Sequence, residues 1–223
     1  MLVLVRHGQS LWNAENRFTG WEDIDLSPKG EAEARKAGKT LIKNNLKFDC
    51  AYTSILTRAI RTLEIILKEM DEVLPTTKSW RLNERHYGRL QGLNKEETAL
   101  KYGKDQVYSW RRSYSLAPPP MTEQDLEKLS QKEMFQNISV PNGESLEQTY
   151  NRVFPLWEES IQPKLKEGKN ILISAHGNSL RALIKHIQKM SDEDIVSFEV
   201  PTAQPIYIAW KNFKEMPEKF EFL

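Results

Sequence analysis

Two histidines in this 223-residue chain stand in the same local setting. Leu2-Val-Leu-Val-Arg-His-Gly-Gln-Ser-Leu11 and Ile171-Leu-Ile-Ser-Ala-His-Gly-Asn-Ser-Leu180 echo one another in type. Each runs from an apolar strand into His-Gly, then an amide and a serine leading towards helix. A glycine after each histidine lets backbone approach a ligand closely and frees amides to cradle an anion. Arg6 beside His7 points to an anionic ligand, because a guanidinium fork matches phosphate oxygens in pairs. A neutral imidazole nitrogen can attack phosphorus, and positive neighbours stabilise the charge on the transferring group. A single histidine is most often structural, but two of the chain's four in one strand-end context argue for paired chemistry. Of the others, His186 reads as packing in an amphipathic helix and His86 as a support for its neighbours.

These side chains need a scaffold that brings two strand ends together. Leu2–Val5 reads as a buried strand. Ser27-Pro28 starts a helix running to about Asn44, with serine as cap and proline at the first helical position. Asp49–Tyr52 is a second strand, after which Thr53 or Ser54 caps a helix carrying Ile55, Ala59, Leu63, Ile66 and Leu67. Strand, helix, strand, helix with crossovers of this length implies a parallel sheet, at whose carboxyl ends ligands bind. Ser79–Leu93 reads as a structured loop, followed by short helices over Lys95–Tyr102 and Gln106–Tyr114. Pro118-Pro119-Pro120 opens an insertion-like stretch, and 121–147, with six acids against two lysines, reads as solvated. Ser145 and Gln148 form a capping box for a long helix to about Lys166, kinked at Pro155. Ile171–Ser174, a helix over Asn178–Met190 and a last strand Ile206–Trp210 complete the chain. The expectation is one α/β domain over residues 1–223. Its central sheet is mostly parallel and flanked by helices on both faces, with inserted helical and loop segments over the carboxyl ends of the strands.

Composition narrows the partners. The 32 Lys+Arg and 31 Asp+Glu leave a net charge of +1, which excludes a globally basic nucleic-acid binder but not a local cationic cluster. Lys78–Arg89 alone carries four basic residues and one acid. One cysteine, Cys50, excludes an internal disulfide framework and a Cys-rich zinc site. The N-terminus reads as neither leader nor anchor, and no apolar run is long enough to span a bilayer, so a cytoplasmic protein without membrane contact is expected.

Several blocks extend the first motif: Arg6-His7-Gly8-Gln9-Ser10-Leu11-Trp12-Asn13, Phe18-Thr19-Gly20-Trp21, and Thr53-Ser54 leading to Arg58-Ala59-Ile60. Further along stand Trp80-Arg81-Leu82-Asn83-Glu84-Arg85-His86-Tyr87-Gly88, Gly92-Leu93-Asn94-Lys95, Trp110-Arg111-Arg112-Ser113-Tyr114 with its three prolines, and Ala175-His176-Gly177-Asn178-Ser179. In this order and spacing, over residues 2 to about 210, the chain resembles the 2,3-bisphosphoglycerate-dependent phosphoglycerate mutases of the histidine phosphatase superfamily.

The resemblance implies that His7 carries the phosphoryl group as phosphohistidine. Arg6, Asn13, Arg58 and His176 would surround that group, with the Gly177 and Asn178 amides nearby and Arg58 in the first turn of its helix. Glu84 would be the general acid/base. Arg85, Tyr87, Lys95, Arg111 and Arg112 would hold the remote anionic end of the substrate. Gly8, Gln9, Ser10, Thr19, Gly20 and His86 complete the implied binding set. The implied reaction is the glycolytic and gluconeogenic interconversion of 3-phosphoglycerate and 2-phosphoglycerate, with minor bisphosphoglycerate synthase and phosphatase activities. It runs through phospho-His7 and a 2,3-bisphosphoglycerate intermediate, is primed by 2,3-bisphosphoglycerate and uses no metal. A homo-oligomer is compatible with the resemblance, whose members occur as monomers, dimers and tetramers. The chain departs from the family at Pro201-Thr202-Ala203-Gln204-Pro205, where a glycine is lost, a change expected to alter a turn without touching the motifs above. A shorter segment after Pro120 and an end at Leu223 imply a thinner cover over the cleft, with more hydrolysis of phospho-His7.

Overall fold

The computed structural model describes residues 1–213 and 215–223. Its strands are β1 (Leu2–Arg6), β2 (Cys50–Thr53), β3 (Thr76–Lys78), β4 (Ile171–Ala175), β5 (Ile206–Ala209) and β6 (Lys219–Phe222). They form one sheet in the order β3-β2-β4-β1-β5-β6. The first four are parallel, and β5 and β6 run antiparallel at one edge. The helices are α1 (Leu11–Ala14), α2 (Pro28–Lys43), α3 (Thr57–Glu69), α4 (Lys95–Tyr102), α5 (Lys104–Arg112), α6 (Glu123–Ser130), α7 (Leu146–Leu156), α8 (Gln162–Lys166), α9 (Gly177–Ile187) and α10 (Asp194–Ser197).

The strand alternation sends successive side chains to opposite faces, and both faces are covered. Val3, Val5, Ala51 and Leu172 pack against Ala37 and Leu41 of α2 and Leu63 and Ile66 of α3. Leu2, Leu4, Tyr52, Ile171 and Ile173 pack against Val153 of α7 and Leu180, Leu183 and Ile184 of α9. Ser27 caps α2, its side chain accepting from the Gly30 amide with Pro28 at the first position, and Asn44 ends that helix.

The sequence echo is a structural pairing. β1 and β4 lie side by side in the register Leu2↔Ile171 through Arg6↔Ala175, so His7 and His176 leave the sheet together. The His7 amide donates to the Ala175 carbonyl at 2.9 Å, carrying the ladder one residue past the strands.

Several local expectations change. α3 starts at Thr57 without a side-chain cap from Thr53 or Ser54; Ser54 is instead engaged with His176 and the Leu56 amide. The second short helix begins at Lys104 and ends at Arg112, leaving Tyr114 outside it. The Ser145–Gln148 capping box is present, but Pro155, which has no amide to donate, is followed by a π turn over Trp157–Ile161 that separates α7 from α8. The 121–147 stretch is not a solvated segment throughout. Leu129 and Phe135 are buried with Trp21 and Leu56, and Glu144 is buried against Arg152. β3 is three exposed polar residues and β6 alternates charge with aromatic, so neither has a strong apolar pattern.

Candidate active site

A cleft of about 260 Å³ opens at the carboxyl ends of β1 and β4. His7 lines it, and the fully buried His176 ring stands edge-on to His7 with ring centroids 4.9 Å apart. Arg6, Asn13, Thr19, Gly20, Arg58, Glu84, Gly177 and Asn178 also line the cleft. Tyr87, Lys95, Arg111 and Arg112 form the outer wall.

The His7 ring is oriented by its own backbone. Nδ1 lies 2.7 Å from the Gly8 carbonyl, which can only accept, so Nδ1 carries the proton and Nε2 keeps its lone pair. Burial, reinforced by Arg58 and Arg6, holds the ring well below the usual histidine pKa and therefore neutral. His176 is neutral for the same reasons, with burial first and then Arg58 and His7. Its Nε2 lies 2.7 Å from the Ser54 hydroxyl. That oxygen already accepts from the Leu56 amide, so its proton is available to Nε2. In this tautomer the buried, unpartnered Nδ1 of His176 is an N–H donor.

Arg58 is clamped rather than free. Its Nη atoms donate to the carbonyls of Glu22 and Gly20 at 2.9 and 2.8 Å. Burial lowers its pKa to about 10, so it stays charged at neutral pH. Arg6 donates to the Val200 carbonyl at 2.9 Å. The Nε atoms of both arginines and the Thr19 hydroxyl are buried without a partner. Such unmet donors beside a neutral nucleophile suit a phosphoryl group. Donors of this kind would suit a phosphoryl donor such as 2,3-bisphosphoglycerate.

Glu84 faces the histidines from the loop before α4. Its Oε1 accepts from the Arg85 amide at 2.8 Å and the Asn178 amide at 3.0 Å. The Asn178 amide is thus engaged by the carboxylate, while its side chain donates to the Tyr87 hydroxyl at 3.1 Å. Asp23 likewise takes the first amide of α3, at Thr57, at 2.7 Å.

Five residues of the implied set lie behind the cleft wall. Gly8 is required by the close approach of α2: a Cβ there would stand 2.2 Å from the Gly30 carbonyl oxygen. The Gln9 amide donates to Glu33, and Ser10 caps α1 in a reciprocal pair with Asn13. Arg85 is buried beneath Tyr87 and donates to the Arg111 carbonyl at 2.6 Å. His86 is buried away from the cleft, where its Nδ1 accepts from the amides of Gly88 and Gly143. Burial pushes its pKa down to about 4.

The cleft also contains residues that sequence reasoning missed. Arg17, stacked on Trp12 at 4.0 Å, lines it with Phe18. Arg181 lies four residues after Gly177, on the same face of α9, and donates to Asn178 Oδ1 at 2.9 Å. That spacing from the His-Gly motif was the available signal. Glu199 joins the outer wall and is paired with Arg112. Ala203 corrects another expectation: its amide donates to the Arg6 carbonyl at 2.8 Å, so the Pro-Thr-Ala-Gln-Pro turn does touch the first motif. Among the described residues no three His, Cys, Asp or Glu side chains cluster as a metal site.

A mostly parallel sheet with two neighbouring His-Gly strand ends and an arginine-lined cleft is the architecture of the histidine phosphatases. The chain belongs to the histidine phosphatase superfamily (branch 1), whose model matches residues 2–134 and 121–219. It is 56% identical over 206 residues to a 2,3-bisphosphoglycerate-dependent phosphoglycerate mutase of Zymomonas mobilis, covering 92% of this chain and 90% of that one. It is 52% identical to the protein of that name in Neisseria gonorrhoeae, covering 98% of both. A mycobacterial glucosyl-3-phosphoglycerate phosphatase shares the fold, with a TM-score of 0.75, 22% identity and coverage of 99% of this chain and 96% of that one.

Proposed function

We propose that this chain interconverts 3-phosphoglycerate and 2-phosphoglycerate through a phosphohistidine at His7, as a 2,3-bisphosphoglycerate-dependent phosphoglycerate mutase. Relatives of that name at 51–56% identity support the activity. One geometric observation carries the mechanism: the His7 Nδ1 proton is tied to the Gly8 carbonyl, so a lone pair stands on Nε2 among buried, unpartnered arginine donors.

2,3-Bisphosphoglycerate supplies the phosphoryl group that primes His7. Phospho-His7 gives its phosphoryl group from Nε2 to the free hydroxyl of a bound phosphoglycerate. After the resulting 2,3-bisphosphoglycerate reorients, Nε2 takes the other phosphoryl group, while Arg6, Arg58 and Nδ1 of His176 hold the oxygens in transfer. Glu84 withdraws the proton from the accepting hydroxyl and returns one to the leaving oxygen. Tyr87, Lys95, Arg111 and Arg112 hold the remote carboxylate or second phosphate, with Arg181 and Arg17 adding positive charge. The positive charge comes from side chains, so we propose that no metal is needed. The bisphosphoglycerate synthase and phosphatase activities belong to the same site as minor outcomes.

We further assign the activity to a single domain over residues 1–223. Among the described residues no helix is long and apolar enough to cross a membrane, and a glycolytic role supports a cytoplasmic location. The test is product analysis: 3-phosphoglycerate with a trace of 2,3-bisphosphoglycerate, in EDTA, should yield 2-phosphoglycerate.

A further inference from the structure

Glu84 is held from behind by a buried ion pair to which the reaction, as described, gives no part. Arg152 of α7 and Glu144 are almost wholly buried, with their side chains 6% and 4% exposed. Nε of Arg152 donates to Glu144 Oε1 at 2.7 Å, and one Nη donates to Oε2 at 2.9 Å. The remaining donors all go to one stretch of backbone. They reach the carbonyls of Trp80 at 3.2 Å, Arg81 at 2.8 Å, Asn83 at 3.2 Å and Glu84 itself at 3.2 Å. Glu144 grips the far end of that stretch: its Oε2 accepts from the His86 amide at 2.8 Å, and its own amide donates to the His86 carbonyl at 2.8 Å. Trp21, which carries the Arg152 guanidinium over its ring at 5.4 Å, donates from Nε1 to the Glu84 carbonyl at 2.6 Å.

A buried ion pair is weak evidence for stability, because its desolvation cost rivals its attraction. What distinguishes this one is where its hydrogen bonds go. Every Arg152 donor not spent on Glu144 lands on residues 80–84, the segment that presents the Glu84 carboxylate to the cleft. We infer that Arg152, oriented by Glu144, is a positioning residue for Glu84: it fixes the loop so that the acid/base carboxylate stands at a set distance from the transferring group. Small displacements of a reacting group carry large rate penalties, so a loop free to shift would transfer protons poorly while still binding phosphate. His86, with its buried ring accepting two amides, belongs to the same support.

This inference rests on the mutase reading and on Glu84 as its acid/base, and the test separates them. Arg152→Lys keeps the charge but replaces a planar five-donor fork with a point donor. It is measured in the wild-type chain and in a Glu84→Gln background, with folding checked by thermal unfolding. A residue acting through Glu84 gives non-additive losses. We expect kcat to fall at least about 30-fold in the wild-type background with KM changed less than about threefold, and to fall less than about threefold in the Glu84→Gln background. Equal losses in the two backgrounds, or an unchanged kcat in folded Arg152→Lys, overturn the inference. Glu144→Gln, which preserves shape and one acceptor oxygen, is run in the same cycle and decides the matter if Arg152→Lys does not fold. It should show a smaller loss with the same dependence on Glu84. The wild-type rate reports on the mutase reading; the ratio between backgrounds reports on the positioning role.

Discussion

Arg58 illustrates how one side chain serves structure and chemistry together. Its Nη atoms lock the Gly20 and Glu22 carbonyls while its buried Nε has no protein partner. Arg58→Ala should lower kcat by two to three orders of magnitude, about the usual loss for one transition-state donor. Steady-state kinetics with a loss below tenfold would remove it from the transferring phosphoryl. The pH behaviour of His7 follows from its surroundings. Burial and then Arg58 and Arg6 lower its pKa below 6.5, so the attacking neutral form persists as pH falls through 6.5. NMR of labelled histidine should show the His7 ring still neutral, with Nδ1 protonated, at pH 6. A titration midpoint at or above 6.5 would mean that the cleft is wetter and less positive than its lining indicates. The residues proposed to touch the phosphoryl group could be singled out because they lie in or next to short sequence motifs. Arg181 offered only its four-residue spacing from Gly177, and Glu199 offered nothing, because a cleft wall closed by a distant turn has no local signature.

At the scale of elements, the neighbouring strands β1 and β4 set the site, and their similarity in sequence made that pairing readable in advance. The ends of elements were less legible. α3 begins at Thr57 because Asp23, a residue distant in sequence, takes its first amide through a tertiary contact. β3 has too few apolar residues to stand out, and its three residues pair with β2 at the sheet edge. The solvated reading of 121–147 failed because net charge cannot show that one of six acids, Glu144, is buried against an arginine. Ala203 marks a place where sequence and backbone disagree. It has a φ of 50°, in the left-handed region that disfavours side chains, at the turn where the family resemblance implies a glycine. Ala203→Gly should therefore stabilise the fold by about 1 kcal/mol, read as a higher midpoint in urea with unchanged slope. A lower midpoint would show that its buried methyl contributes more through packing than the backbone loses through strain.

For the whole molecule, a net charge of +1 conceals strong segregation. Among the described residues, seven cations line the cleft — Arg6, Arg17, Arg58, Lys95, Arg111, Arg112 and Arg181 — against Glu84 and Glu199. A concave basic surface of this kind draws in small, highly charged phosphate esters, and added salt screens it over about 10 Å at 0.1 M. The KM for phosphoglycerate should therefore rise several-fold between low salt and 0.5 M salt, while kcat changes little. A salt-independent KM would count against electrostatic capture. The central claim, that phospho-His7 phosphorylates one hydroxyl of a bound phosphoglycerate and takes the phosphoryl group from the other, is tested most directly by product. With 3-phosphoglycerate and a trace of 2,3-bisphosphoglycerate in EDTA, the chain should form 2-phosphoglycerate with little free phosphate, and His7→Ala should form none. Free phosphate as the sole product, or activity that survives in His7→Ala, would contradict it.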